Sequence, residues 1–137
     1  MHADTSALFK HPGRISPLRL AVALFGAPVA WIAQLSLNEP LASQSCYPHH
    51  MPLPEPLWPW LTVMLAAING VCVAAGLLSG YVAWRLCRQT GVDLMQDREG
   101  RTPFLVKLGV MSSFIFIMAL LFTGCSVLLV SPCQPWF

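Results

Sequence analysis

Residues 104–130 read FLVKLGVMSSFIFIMALLFTGCSVLLV, and Lys107 is the only charged residue in the stretch. At 1.5 Å per residue, a helix of this length reaches about 40 Å, whereas the hydrocarbon core of a bilayer is about 30 Å thick. Backbone polar groups in lipid must be satisfied within the segment, which favours an α-helix. The stretch therefore predicts a membrane-spanning helix.

Two further apolar blocks precede this one, from Leu18 to about Asn38 and from Leu57 to about Leu86. Only 10% of the 137 residues are charged and 55% are hydrophobic, whereas a soluble domain carries about 25% charged residues. The chain is thus predicted to be a single all-α membrane domain, 1–137, with three transmembrane helices. We expect membrane lipid around it, and no nucleic acid as a partner.

The first block has two competing interpretations, a signal peptide and a lipoprotein leader. Basic residues precede it, and Leu41-Ala42-Ser43 is a weak cleavage motif. The apolar run is longer than the apolar core of a typical signal peptide, which has 7 to 15 residues. A lipoprotein leader would have a leucine three positions before its cysteine, and none lies three positions before Cys46. A retained transmembrane helix is therefore favoured.

The distribution of basic residues predicts the orientation. The segment between the first two helices, 39–56, and the tail after Val130 contain no lysine or arginine. Because cytoplasmic segments carry an excess of basic residues, the N-terminus and the second connection, 87–103, are predicted inside and the C-terminus outside. The basic residues in or beside these two regions are Lys10, Arg14, Arg19, Arg85, Arg88, Arg98, Arg101 and Lys107.

The two connections differ in composition. The outer one contains several prolines, beginning with Pro40, and these favour extended structure over a continuing helix. We expect an ordered arm there. In the inner connection, Gly91 is predicted to end the second helix, and Thr102-Pro103 to cap and begin the third.

Cysteine placement predicts a disulfide at the outer end. The topology places Cys46 and Cys133 on the same oxidising side, with Cys46 to Cys125 as the competing pair. Cys72 and Cys87 fall within or beside helices, where cysteine commonly acts as a small hydrophobe. No C-x-x-C pair is present, so a dithiol oxidoreductase is not favoured.

A copper site is an alternative for the outer connection. Cys46 is followed closely by His49, His50 and Met51, and Cu(I) favours thiolate, imidazole and thioether ligands. A disulfide at Cys46 would remove its thiolate, and adjacent histidines in a proline-rich loop often face water. No cofactor is therefore expected, and copper is kept as the alternative.

The apolar blocks lack deep ionisable residues, and the charged residues at their ends are close enough to reach the interface. Proton pumps and ion-coupled transporters place such groups within the membrane, and general acid–base catalysis requires them. The chain is therefore not expected to be an enzyme.

Small residues predict close helix packing. Gly70, Gly76 and Gly80 recur on the second helix, and Gly109 and Ser113 form a four-residue pair on the third. These faces suit packing within the chain, and they leave surface for a partner or for self-association. Asn69 is expected to bond across a helix interface near the bilayer midplane, and Pro28 to kink or weaken the first helix.

Three motifs carry a family resemblance: Gly26-Ala27-Pro28-Val29-Ala30-Trp31, then Leu41-Ala42 before Cys46, and a final Ser131-Pro132-Cys133. The combination resembles small, uncharacterised bacterial membrane proteins that accompany haem–copper cytochrome oxidases. The resemblance covers most of the chain. Where those proteins commonly have an aromatic residue, this chain has Glu39 beside Pro40.

The resemblance implies an accessory or assembly role beside a respiratory oxidase, with Cys46 and Cys133 matching paired outer cysteines. We therefore expect a non-catalytic, multi-pass protein of the bacterial inner membrane whose partners are integral subunits of a larger respiratory complex. A copper-handling protein facing the periplasm is the first alternative. A small oligomeric channel or transporter is the second.

Overall fold

A computed structural model describes residues 16–91, 100–131 and 133, and it contains three long helices. They are α1 (Pro17–Cys46), α2 (Leu61–Thr90) and α3 (Arg101–Leu129), and a short 3-10 segment, Pro48–His50, follows α1. All three are long and apolar enough to cross a membrane, and the described residues include no strand. The prediction of an all-helical protein with three membrane-spanning helices is confirmed.

The helices form one bundle in which each packs against the other two. The end of α1, the start of α2 and Cys133 lie together at one end, which we call the disulfide end. The opposite end, with Arg19, Arg85 and Arg88, is the basic end. The predictions involving Lys10, Arg14, Arg98 and the tail 134–137 lie outside the described residues.

The first helix is longer than predicted. It passes through Pro28 and Pro40 and ends at Cys46, whereas the proline-rich segment was expected to begin at Glu39. Proline removes one backbone donor and disfavours helical geometry for the preceding residue, but it does not forbid a helix whose other bonds are made. The proline-rich arm is therefore shorter than the sequence indicates.

The other helix boundaries differ by a few residues. The second helix begins at Leu61, after a turn closed by Leu61 N–H donating to the Trp58 carbonyl at 3.1 Å, and it runs on to Thr90. Gly91 ends it in the left-handed conformation, φ 62°, as predicted. The third helix begins at Arg101, so Thr102 lies within it and is not its cap.

Serine hydroxyl groups from α2 and α3 bond three consecutive carbonyl groups of α1. Ser79 Oγ donates to Val22 O at 2.8 Å, Ser113 Oγ to Ala23 O at 3.1 Å, and Ser112 Oγ to Leu24 O at 3.4 Å. In a regular helix Leu24 O accepts a hydrogen bond from the N–H of residue 28, but Pro28 has no N–H. Ser112 thus supplies a donor where the proline removed one, as neighbouring helices do in membranes.

We expect Ser112→Ala to lower the free energy of unfolding by about 0.6 kcal/mol, the average for a hydrogen bond between membrane helices. In a Pro28→Ala background the backbone N–H at position 28 is restored, and Ser112→Ala should then hardly change the free energy of unfolding. A double-mutant cycle in mixed detergent micelles measures this coupling. Equal costs in both backgrounds would show that Ser112 does not compensate for Pro28.

Candidate functional site

The centre of the bundle contains a cluster of three buried amide side chains, Gln34, Asn38 and Asn69, which we call the amide cluster. Gln34 and Asn38 are four residues apart on α1 and share one face, opposite Asn69 on α2. Gln34 is 0% exposed, Asn38 5% and Asn69 4%. Burying an amide in an apolar interior costs free energy unless the amide is hydrogen-bonded. These three side chains are therefore expected to bond to one another.

Hydrogen bonds in the amide cluster join all three helices. Asn69 Oδ1 accepts from Gln34 Nε2 and from Asn38 Nδ2, the latter at 2.9 Å. Asn69 Nδ2 donates to Leu65 O within its own helix at 2.8 Å, and Gln34 Nε2 also approaches Leu120 O of α3 at 3.5 Å. Asn69 therefore bonds across a helix interface, as its sequence position suggested.

Two acceptor atoms of the amide cluster, Gln34 Oε1 and Asn38 Oδ1, have no hydrogen-bond partner in the described part of the chain. A cavity of about 260 Å³ lies beside Asn38, and its lining includes Glu39, Ala42, Leu65 and Ser126. Amide groups are neutral and do not titrate near neutral pH, so the cluster can accept hydrogen bonds but offers no general acid or base. The amide cluster is therefore suited to joining the helices through hydrogen bonds.

The disulfide end is fastened covalently. Cys46 and Cys133 form a disulfide with their Cα atoms 5.1 Å apart, and both residues are buried. This confirms the predicted pair; the competing Cys125 is a free and exposed thiol. Since Cys133 follows α3, the bond joins the end of the first helix to the end of the last.

The arm between α1 and α2 folds back onto the end of α1. Leu53 N–H donates to Cys46 O at 2.9 Å, and Leu57 N–H donates to Ser45 O at 3.1 Å. The Trp58 and Trp60 rings stack, with centroids 5.6 Å apart. The arm is therefore an ordered cap over the disulfide end.

The proposed copper ligands are not brought together. His49 and His50 are exposed and have positive φ values, 59° and 64°, and Met51 is 73% exposed. The Cys46 sulfur is committed to the disulfide, and the described residues contain no group of three or more His, Cys, Asp or Glu placed for a metal. The geometry gives no support to the copper alternative.

Most of the predicted packing residues lie at helix contacts within the chain. A Cβ built on Gly76 would meet Leu120 Cδ1, one on Gly80 would lie 2.7 Å from Ile117 Cδ1, and one on Gly109 would lie 3.3 Å from Ala23 O. Ser113 donates to the same Ala23 carbonyl. These positions are small because another helix occupies the space that a side chain would need.

Gly70 differs from these glycines. No atom lies within 4 Å of the position that its Cβ would occupy, and the residue is exposed. It lies on the α2 face that points away from α1 and α3, together with exposed Ala67 and Ala74. We call Ala67, Gly70 and Ala74 the outer small-residue face, and none of the described residues packs closely against Gly70.

Sequence reasoning missed Asn38, which was placed at the edge of the first helix and given no role. Its spacing of four residues from Gln34 was the available signal, because residues so spaced share a helix face. Ser79 and Ser112 are polar residues within apolar blocks, so bonds from them across a helix interface could be predicted. The particular carbonyl groups that accept these bonds had no sequence signal, since they depend on how the helices are rotated.

Comparisons with protein families, with curated proteins and with solved structures give no match to this chain.

Proposed function

We propose that this protein is a non-catalytic accessory subunit or assembly partner of a larger complex in the bacterial inner membrane, and that the complex is a respiratory haem–copper oxidase. The N-terminus and the basic end face the cytoplasm, and the disulfide end faces the oxidising outer side. The identity of the partner rests on the resemblance of the G-x-P-x-A-W helix and the P-C end to companions of such oxidases.

The observation that carries the proposal is the exposed glycine at position 70. Glycine in a helix interior costs about 1 kcal/mol relative to alanine. Elsewhere in α2 and α3 that cost is offset by close packing within the chain, as at Gly76, Gly80 and Gly109. At Gly70 no described residue packs this closely, and a close-packed partner helix outside the chain would account for the glycine.

The non-catalytic part of the proposal has separate support. The segments 20–38, 61–84 and 108–129 contain no Asp, Glu, His, Lys or Arg. The polar groups at the centre of the bundle are amides and hydroxyls bonded to one another and to backbone. Proton transfer and metal coordination require other side chains.

The alternatives have weaker support. The copper alternative rests on His49, His50 and Met51 together with Cys46, and the disulfide removes the Cys46 thiolate from that set. A pore within one chain is disfavoured because Gln34 and Leu120, both 0% exposed, fill the centre of the bundle. A channel built from several copies stays a prediction, and a stable monomer in mild detergent would count against it.

Purification of the oxidase from native membranes tests the proposal. We expect the wild-type chain to accompany the oxidase, and Gly70→Leu to reduce its recovery at least tenfold, because a leucine on the outer small-residue face keeps the partner helix away. Ala21→Leu, also an exposed small-to-large change but on α1, is the matched control and should leave recovery unchanged. Consistent absence of the wild-type chain from the oxidase contradicts the proposal.

A further inference from the structure

An open apolar groove runs between α2 and α3 on the half of the bundle nearer the basic end. It has a volume of about 720 Å³, and its walls include Leu77, Tyr81, Trp84, Val110 and Phe114. From Leu77 to Trp84 it extends about 10 Å along the helix axis, most of the thickness of one hydrocarbon leaflet of about 15 Å. The groove therefore has the length and polarity to hold part of an acyl chain.

The groove exists because of a small residue in its floor. Gly80 lies between Leu77 and Trp84 and has no side chain to fill the space, while Ile117 and Ser113 of α3 close the floor from the other side. The walls are large and exposed: Trp84 is 51% and Phe114 is 67% exposed. The groove therefore combines a small residue in its floor with aromatic residues in its walls.

Two basic hollows adjoin the groove at its end nearer the membrane surface. One, of about 250 Å³, is lined by Arg19 of α1 with Tyr81, Arg85 and Gln89 of α2. The other, of about 350 Å³, is lined by Tyr81, Trp84, Arg85, Arg88 and Gln89. Tyr81 lines both hollows and the groove, so the three form one continuous surface.

The charge of the hollows is of one sign. Among the residues that the structure describes, three arginines and a glutamine amide line them, and no acidic residue does. Glu39 and Glu55, the acidic residues that the structure describes, are at the disulfide end. Arginine binds phosphate through paired N–H groups, and the Arg85 guanidinium is held over the Tyr81 ring, 5.7 Å from its centroid.

We propose that this surface binds an anionic phospholipid, with the headgroup phosphate between Arg19, Arg85 and Arg88 and one acyl chain in the groove beside Gly80. Basic hollows between membrane helices on the cytoplasmic side are typical sites for anionic headgroups. The apolar groove and the cationic hollows meet at Tyr81. A phospholipid has the same arrangement, an apolar chain followed by an anionic headgroup, and we therefore infer that the occupant is a lipid. On α2, Leu77 and Trp84 follow Gly70 by seven and fourteen residues, so the lipid site lies on the same face of α2 as Gly70 but nearer the basic end. The lipid proposal does not depend on the identity of a protein partner.

Lipid binding to the purified protein in neutral detergent tests the site, with phosphatidylglycerol as the probe and phosphatidylcholine of the same chains as the comparison. Native mass spectrometry should show one retained phosphatidylglycerol per chain, and titration should raise the unfolding temperature with this lipid only. Glycerol phosphate, which has the headgroup charge without the chains, should give no shift at the same concentration.

Two matched pairs of variants separate the headgroup from the chain. The double variant Arg85→Gln, Arg88→Gln should bind phosphatidylglycerol about 30-fold more weakly, whereas Arg101→Gln, near the same end but outside the hollows, should bind as wild type does. Phe114→Ala removes a wall of the groove and should weaken binding, whereas Phe122→Ala, on the same helix outside the groove, should not. Both phenylalanines are largely exposed, so neither change is expected to unfold the bundle.

Several results would overturn the proposal. Equal retention of phosphatidylglycerol and phosphatidylcholine removes the role of the arginines. An equal rise in unfolding temperature with glycerol phosphate would show that the groove does not contribute to binding. Dimers that disappear in Phe114→Ala, with no retained lipid, would show that a second copy of the chain occupies the groove.

Discussion

Replacing Asn69 with leucine is expected to lower the free energy of unfolding by about 2 kcal/mol, although leucine is similar in size and more apolar. Asn69 Oδ1 is the acceptor for both Gln34 and Asn38, so its removal leaves Asn38 Nδ2 without this partner and Gln34 Nε2 with only the 3.5 Å contact to Leu120 O. An unpaired buried donor costs about 1–3 kcal/mol, and bonds between membrane helices average about 0.6 kcal/mol because the unfolded chain also finds partners. Denaturation by SDS in mixed micelles, followed by circular dichroism, measures the loss.

A triple variant in which Gln34, Asn38 and Asn69 are all leucine provides the critical comparison. Replacing every member of a buried polar network with apolar groups can be nearly neutral, because no unpaired group is left. The triple variant is therefore expected to be more stable than the single Asn69→Leu variant. Ser126→Ala, which removes only an exposed bond within α3, is the control and should change little. Additive losses across the three positions would show that the amides do not act as one network.

Loss of the disulfide is expected to lower stability by about 2–5 kcal/mol, the range for removing a native disulfide. The bond closes a loop with a sequence separation of 87 residues, which contains the arm, α2 and all of α3. A long closed loop restricts the unfolded chain strongly, and the bond also fastens the arm over the end of α1. The double variant Cys46→Ser, Cys133→Ser should therefore unfold at lower SDS concentration than the wild-type chain.

Cys125→Ser is the matched control for the disulfide, because this thiol is free and exposed near the same end of the bundle. It should leave both stability and the redox dependence unchanged. Treatment with a reductant should destabilise the wild-type chain and Cys125→Ser alike and have no effect on the double variant. An effect of reductant on the double variant would mean that another cysteine pair carries the stabilisation.

The helix count and the disulfide pair could be predicted because both follow from properties of long segments. Apolar length determines what can span a bilayer, and the absence of lysine and arginine from two segments places Cys46 and Cys133 on one side. Neither inference requires knowledge of how the helices face one another.

The end of the first helix could not be predicted, because Pro40 favours a helix end near Glu39 and the helix nevertheless continues to Cys46. Proline disfavours helix formation locally, but the cost of one lost hydrogen bond near a helix end is small beside the packing of a full face. The residues beyond it, including buried Ser45 and Cys46, gain that packing.

The composition of the amide cluster was only partly predictable. Asn69 was identified by its depth in an apolar run, where an amide requires a partner. Its partners depend on the rotation of α1, and the sequence supplies only the four-residue spacing of Gln34 and Asn38 as a guide. The exposure of Gly70 could not be predicted for the same reason, because the spacing of small residues on α2 does not tell which of them face the other helices.

Photo-crosslinking in native membranes tests the proposed docking of α2 most directly. A benzophenone amino acid in place of Ala67 lies beside Gly70 on the outer small-residue face, and one in place of Phe122 on α3 is the control. We predict that the probe at position 67 attaches to an integral subunit of the oxidase and that the probe at position 122 attaches to lipid or nothing. Attachment to lipid alone from position 67, in membranes that contain the assembled oxidase, would contradict a partner helix on this face.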